Sequence, residues 1–187
     1  MDMNKDQSKV DDVPGLEHFQ GEHQRLEALL ERYQCGLMAL DLAEARMGLE
    51  GLSYELEVHS AIEEAVLMPL FEQLEESIEG GNPEFFKLEH TKLKKLIATY
   101  FVELKSLEQL EELTRPDALL LIERGFTFKH LFDHHTSRED KVFYPAISAS
   151  LTSNERRQVW GLMDAFEAST RAELGNPPSM GEVDNFI

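Results

Sequence analysis

Two stretches of the sequence place a histidine and a glutamate four residues apart, which puts both side chains on one face of a helix. The first pair is His59 with Glu63, and the second is His135 with Glu139. In both stretches a proline follows the glutamate by six residues. Imidazole nitrogens and carboxylate oxygens are common ligands of transition metals. A pair that occurs twice with the same spacing therefore indicates a metal site built from two similar halves.

Two further histidines, His23 and His90, precede these pairs and also share a local pattern. Each directly follows a glutamate and has a leucine three residues later. The order along the chain is therefore a lone histidine, a histidine–glutamate pair, a second lone histidine and a second pair. This order predicts a pseudo-twofold arrangement of the helices that carry them.

All six candidate ligands lie on apolar stripes with the three- and four-residue steps of helices that pack in a bundle. His23 interrupts the first stripe, which consists of Leu16, Phe19, His23, Leu26, Leu30, Tyr33, Leu37 and Leu40. The other five candidates interrupt three later stripes in the same way. The sequence thus predicts four long helices that turn polar side chains toward a common core.

The predicted turns lie where the candidate ligands require them. In an antiparallel helix pair, residues at the same level are equally far from the turn. The midpoint of His23 and His59 is Asp41, which is predicted to cap a helix. The midpoints of the next two helix pairs lie close to turn residues at 79–83 and 114–116. All six side chains can therefore share one layer of the core.

A buried layer of four histidines and two glutamates is costly without partners, at about 1–3 kcal/mol for each unsatisfied polar group. The layer must either bind a ligand or form a dense hydrogen-bond network. Six donors are too many for one tetrahedral zinc ion. They suit two octahedral ions bridged by carboxylates, and this mixture of donors favours iron, with manganese or zinc also compatible.

Composition excludes several other classes of function. The net charge of −18 disfavours binding to phosphate backbones or anionic lipid, so we expect neither nucleic acid nor membrane as a partner. No apolar run is long enough to span a bilayer. A single cysteine, Cys35, excludes an internal disulfide and a cysteine-rich metal site. The N-terminus is unlike a signal peptide, and we expect a cytoplasmic location.

The chain divides into four predicted segments. A capping box at Thr152 and Glu155 marks the start of an additional helix, which we expect to dock through Trp160, Met163 and Phe166. The segments are a flexible N-terminal stretch at 1–14, a four-helix bundle at 15–150, the C-terminal helix at 151–174 and a flexible tail at 175–187.

The ordered motifs resemble the hemerythrin-like, or HHE cation-binding, domain family over roughly residues 15–150. The resemblance implies an all-α, antiparallel up-down-up-down four-helix bundle that holds two non-haem iron ions with an oxo or hydroxo bridge. It also implies that the two glutamates bridge the irons and that the four histidines are terminal ligands. The implied metal ligands are His23, His59, Glu63, His90, His135 and Glu139.

The sequence departs from the oxygen-carrying members of this family. Those members have a histidine four residues after the third-helix histidine, where this chain has Lys94, and they end with an aspartate that Asp140 could match. Glu139 lies on the apolar stripe and Asp140 does not, so we predict Glu139 as the ligand. Contributions from Asp140, Lys94 and Glu27 remain open. The missing histidine favours reactivity or sensing over simple oxygen carriage.

Three functions follow as hypotheses. The first is binding or sensing of O2, NO or peroxide, or handling of iron, at the di-iron centre. The second is a di-iron redox enzyme that reduces peroxide or NO or repairs iron centres, with an unidentified redox partner. The third is a metal-free helical interaction module. Whether the protein is an enzyme stays open at this point.

Residues outside the stripes have simpler interpretations. We expect His18, His130, His134 and Cys35 to face solvent. The prolines at 69 and 145 are predicted to kink their helices, because proline lacks an amide hydrogen and clashes with the preceding turn. Phe128 and Phe132 are predicted to wall the site or simply to fill the core.

Overall fold

The computed structural model describes residues 17–74, 81–109 and 113–177, and these residues form helices and their connections without any strand. The predicted all-α class is therefore confirmed for this part of the chain. The flexible stretch predicted at 1–14 lies outside the described residues, as does most of the predicted tail. The α-helices are α1 (Glu17–Ala39), α2 (Leu42–Ile62), α3 (Met68–Glu72), α4 (Pro83–Gln109), α5 (Arg115–Arg138), α6 (Tyr144–Ser150) and α7 (Ser153–Leu174).

The four long helices α1, α2, α4 and α5 enclose the core, with α1 against α2 and α5, and α4 against the same two helices. Their inward side chains form two apolar clusters. One contains Leu26, Leu56, Leu93 and Phe132, and the other contains Phe19, Ile62, Phe86 and Phe143. The predicted polar layer lies between the two clusters, since each of its histidines is flanked along the chain by members of both.

The turn between α1 and α2 corrects one detail of the predicted stripe. Leu40 was expected to face inward, but it is exposed and adopts a left-handed φ of 57°. The amide of Leu40 donates to the carbonyl of Leu37, and that of Asp41 donates to Gly36, which closes the helix as a Schellman motif. The chain therefore leaves α1 one residue before the apolar pattern ends. Asp41 then caps α2 as predicted, accepting from the amide of Glu44.

Two glycines allow close contact between α1 and α2. A Cβ atom on Gly36 would lie 2.3 Å from the backbone nitrogen of Ala45, and one on Gly48 would lie 2.4 Å from that of Tyr33. No side chain fits at either distance. The two helices consequently pack backbone against backbone on the side of the bundle that carries His23 and His59.

A single π turn precedes each proline. The turns span Glu63–Leu67 and Glu139–Phe143, and in each the amide five residues later donates to the glutamate carbonyl. The donors are Met68 and Tyr144, the residues directly before the prolines. Where a kink was predicted, the structure accommodates the proline by widening the turn, because a π turn relieves the missing hydrogen bond and the clash of the ring.

Helix α7 packs on α2 from outside the bundle. Its predicted capping box is present, with Thr152 and Glu155 bonded to each other's backbone amides. Met163 is buried, and Trp160 and Phe166 pack beside it, as expected. No helix in the described ranges has the length and apolar character needed to cross a bilayer.

Candidate metal centre

The structure brings all six predicted site residues into one buried layer. None is more than 7% exposed, and Glu63, His135 and Glu139 are fully buried. The layer draws on every long helix: α1 supplies His23, α2 supplies His59, α4 supplies His90 and α5 supplies His135, while each π turn supplies its first residue, Glu63 or Glu139. Each π turn thus begins at a glutamate of the layer.

Glu139 is the centre of the layer, since its two oxygens face different histidines. Its Oε1 lies 2.8 Å from Nε2 of His135 and 3.6 Å from Nε2 of His90. Its Oε2 lies 3.1 Å from Nε2 of His23 and 4.0 Å from Nε2 of His59. One carboxylate therefore reaches a histidine from every long helix.

Glu63 is placed differently. Its Oε2 lies 3.1 Å from Nε2 of His90 and 3.6 Å from Nε2 of His59. Its Oε1 instead accepts a short hydrogen bond from the hydroxyl of Tyr144. Only one oxygen of Glu63 is therefore directed at the histidines, whereas both oxygens of Glu139 are.

The ligand atoms form two groups that share Glu139, each with its atoms within 4.8 Å of one another. The four-donor group consists of Glu63, His90, His135 and Glu139, and the three-donor group consists of His23, His59 and Glu139. Two groups joined by one carboxylate are the arrangement expected of a pair of neighbouring cations.

Most of these buried atoms have no hydrogen-bond partner among the described residues. They are Nε2 of His59, His90 and His135, Oε2 of Glu63 and both oxygens of Glu139. Buried polar atoms in folded proteins are nearly always paired, so a cluster of unpaired lone pairs requires an explanation. Atoms that lie close together without hydrogen-bond geometry, and that are all good metal donors, fit a bound cation.

A carboxylate from a neighbouring helix or turn lies against the outer nitrogen of each histidine, and in three of the four it is within hydrogen-bond distance. The contacts are Glu22 to His59 at 2.9 Å, Glu64 to His90 at 2.8 Å, Glu89 to His135 at 3.1 Å and Asp140 to His23 at 3.6 Å. A carboxylate on Nδ1 keeps a proton there, so Nε2 is the nitrogen left to bind a cation at the centre.

Sequence reasoning missed the role of these four acids. Each is adjacent in the sequence to a predicted ligand, which was the available signal, but each serves the histidine of a different helix. Glu89 is also fixed by Arg138, whose guanidinium donates to its other oxygen at 2.6 Å.

The electrostatics of the layer follow from burial opposed by opposite charge. Burial lowers the pKa of His135, but Glu139 and Glu89 more than compensate and raise it to about 9. The pKa values of His59 and His90 are raised for the same reason. Burial alone would raise the pKa of Glu139, yet the surrounding histidines hold it well below its ordinary value. The central carboxylate is therefore ionised and suited to a cation.

Tyr144 is a further residue that the sequence did not reveal as part of the site. Burial and then the carboxylates of Glu139 and Glu63 raise its pKa well above the ordinary value. Its hydroxyl lies 3.4 Å from Nε2 of His23. In the sequence it was visible only as the residue before a proline.

The structure shows where the three residues whose contribution was left open, Glu27, Lys94 and Asp140, make their contacts. Glu27 pairs with Lys129 at 2.9 Å near the surface, and Lys94 pairs with Glu57 at 3.0 Å. Neither side chain is directed into the layer, whereas Asp140 lies at its edge. The solvent-facing residues were predicted correctly, since His18, His130, His134 and Cys35 are exposed.

The two phenylalanines before His135 are buried. The ring of Phe132 contacts that of His23 at 6.4 Å between centroids, and Phe128 stacks on Phe132 at 5.9 Å. Phe132 therefore borders the layer, as the wall hypothesis expects, and Phe128 lies one ring further into the core.

Comparison with protein-family models matches residues 15–147 to the hemerythrin HHE cation binding domain. The matched segment includes all six layer residues, the four outer acids and both π turns, and it ends before α7. Comparisons with curated proteins and with solved structures gave no match.

Proposed function

Because the chain belongs to the hemerythrin HHE cation-binding family, we propose that its buried layer holds two non-haem iron ions and that the protein binds or senses O2, NO or peroxide there. The observation that carries this proposal is the set of unpaired inward-facing ligand atoms, divided by one shared carboxylate into two groups. A metal-free interaction module would have no use for such a layer.

The proposal includes an up-down-up-down course for the four long helices. Arg46 of α2 contacts Glu108 of α4. Glu64 follows Arg46 in the chain, but it contacts His90, which precedes Glu108. This reversal indicates antiparallel packing between the helices concerned. Contacts between α1 and α2 and between α4 and α5 show the same reversal.

In this proposal the four histidines, Glu63 and Glu139 would hold the two ions, and Glu139 would be shared between them. The four outer acids would hold the imidazole rings so that Nε2 faces the metal. The ionised carboxylates would offset the charge of the cations in a dry core. Bound iron would supply open coordination positions and redox electrons for a small ligand.

Lys94 supports sensing or reactivity rather than carriage. It occupies the position at which oxygen-carrying relatives are expected to have a fifth histidine, and its ammonium pairs with Glu57 at the surface instead. The layer therefore offers one nitrogen donor fewer, which leaves more of the metal's coordination open to an exogenous ligand.

A cavity beside α1 and α2 would bring a small molecule close to the layer. A cavity of about 280 Å³ lies between these helices and α7, and Glu22 and His59 form part of its wall. A molecule the size of O2 or peroxide in this cavity would lie beside a histidine of the layer.

The test is metal content by mass spectrometry on untagged protein loaded anaerobically with iron(II), followed by optical spectra in air and with NO or peroxide. We expect about two irons per chain and spectra that respond to the added ligand. His59→Ala should lower the iron content and change the spectrum, because it removes a donor from the three-donor group together with the contact of that imidazole with Glu22.

His130→Ala is the matched control, since it removes an exposed histidine from α5 and should leave the iron content at the wild-type value. A folded wild-type protein that takes up no iron under reducing conditions would overturn the proposal. Sustained turnover of peroxide or NO with an electron donor would instead place the protein among di-iron redox enzymes.

A further inference from the structure

Tyr144 is the one phenol in contact with the described layer. Its side chain is buried at 2% exposure, and its hydroxyl lies between Oε1 of Glu63 and Nε2 of His23. The distance to His23, 3.4 Å, is close to the 3.1 Å that separates the same nitrogen from Oε2 of Glu139. The phenol oxygen is therefore about as far from His23 as the Glu139 oxygen of the three-donor group is.

The three-donor group has fewer protein donors than the other group. Among the described residues it receives His23, His59 and one oxygen of Glu139, while the four-donor group adds Glu63 to its histidines and to the other oxygen of Glu139. Octahedral iron takes up to six donors, so a fourth protein donor has a clear place here. The Tyr144 oxygen adjoins this group through His23, and its hydrogen bond to Glu63 links it to the other.

The backbone fixes the phenol in this position. The π turn makes the amide of Tyr144 donate to the carbonyl of Glu139, so a residue five positions later stands over the glutamate rather than on the opposite side of the helix. The ring of Phe19 stacks on the Tyr144 ring at 4.7 Å between centroids and blocks movement away from the layer.

We propose that Tyr144 is the fourth protein donor of the three-donor group and binds iron(III) there as a phenolate. Tyrosine oxygen is an established ligand of ferric iron in proteins. When the oxygen binds the metal, the O–H bond breaks and the proton leaves by way of Oε1 of Glu63, its present acceptor, to solvent. One proton is released for each phenolate–iron bond formed, and no electron is transferred in this step.

The inference rests on the proposed function, because it requires iron in the layer. The experiment loads the full-length wild-type protein with iron(II) anaerobically, oxidises it in air, and records iron content, the visible spectrum and resonance Raman spectra. A phenolate–iron(III) bond gives a visible charge-transfer band and enhanced tyrosinate ring modes, which shift when the protein carries ring-deuterated tyrosine.

Tyr144→Phe should lose this band and these modes while iron still enters the layer, and a chelator should then remove one iron more readily than the other. Tyr33→Phe is the matched control, because Tyr33 is equally buried but belongs to the apolar cluster beyond the layer. A variant with Tyr33, Tyr54 and Tyr100 all replaced by Phe leaves Tyr144 as the only tyrosine and should keep the band.

The outcomes separate the two proposals. Two irons per wild-type chain without tyrosinate modes would overturn the phenolate and leave the di-iron proposal standing. The same holds if the band persists in Tyr144→Phe. A wild-type protein that refuses iron would overturn both. A Tyr144→Phe protein that fails to fold leaves the triple variant to decide, since loss of its band would also overturn the inference.

Discussion

The two π turns of the molecule are alike in backbone and different in chemistry. Each begins at a glutamate of the layer, and the carbonyl of that glutamate accepts a hydrogen bond from the amide five residues later. A proline follows directly after the donor residue. The residue that closes the first turn is Met68, and the residue that closes the second is Tyr144. Both are buried, so the difference lies inside the core.

This single difference makes the two glutamates inequivalent. The side chain of Met68 offers no hydrogen-bond donor, and both oxygens of Glu139 face histidines. Tyr144 donates to Glu63 and so takes one of its oxygens. A duplicated helical pattern therefore places the two glutamates alike, and the hydroxyl of Tyr144 distinguishes their surroundings.

The largest expected effect is on iron content, when each of the two glutamates is neutralised in turn. Glu139→Gln should reduce iron from about two per chain to nearly none, because its two oxygens serve both groups. Glu63→Gln should retain more iron, because only one of its oxygens faces the histidines. Metal content after gel filtration measures both. Equal losses in the two variants would show that the glutamates are equivalent.

The apolar residues that end the two π turns give the next largest effect. Phe143→Ala should lower the free energy of unfolding by about 3–5 kcal/mol, since a fully buried ring packed on Phe71 and Phe86 is removed. Leu67→Ala should cost about 2–5 kcal/mol. Urea denaturation measures both values, and Leu119→Ala, at an exposed site, should stay close to wild type. A near-neutral Phe143→Ala would contradict the packing.

The outer acids that follow the two glutamates should differ in how much each contributes to metal affinity. Glu64 meets its histidine at 2.8 Å, whereas the shorter Asp140 stays 3.6 Å from His23. Glu64→Gln should weaken metal affinity about 10–100-fold, the usual loss for such a partner. Asp140→Asn should have a smaller effect, and exposed Glu84→Gln none. Chelator competition gives these affinities, and a reversed order would refute the ranking.

The smallest effect concerns pH in the metal-free protein. The pKa of His135 is raised to about 9 from an ordinary 6.5, so its stabilising contribution is complete below 6.5 and is lost as pH rises through 9. Thermal unfolding should therefore occur at lower temperature above pH 9 than below pH 6.5. His135→Gln should flatten this dependence and His130→Gln should not. A melting temperature that is constant over this range would exclude the effect.

The helices and the composition of the layer follow from local features of the sequence. The three- and four-residue steps, the caps at Asp41 and Thr152, and the His-x-x-x-Glu spacing are local properties, and local hydrogen bonding and helix periodicity express them directly. That is why the helical class, the burial of all six candidates and their common level in the core could be predicted. Their role as ligands remains a proposal.

The packing of whole helices sets which side chains meet across the bundle. The acids beside four of the six layer residues lie against histidines on other helices, and Tyr144 reaches Glu63 and His23 from a different element. The π turns and the left-handed Leu40 were also unpredicted. Such contacts depend on the rotation and spacing of whole helices, which are set by packing of the core and by the close approach at Gly36 and Gly48, and not by the residues on either side in the chain.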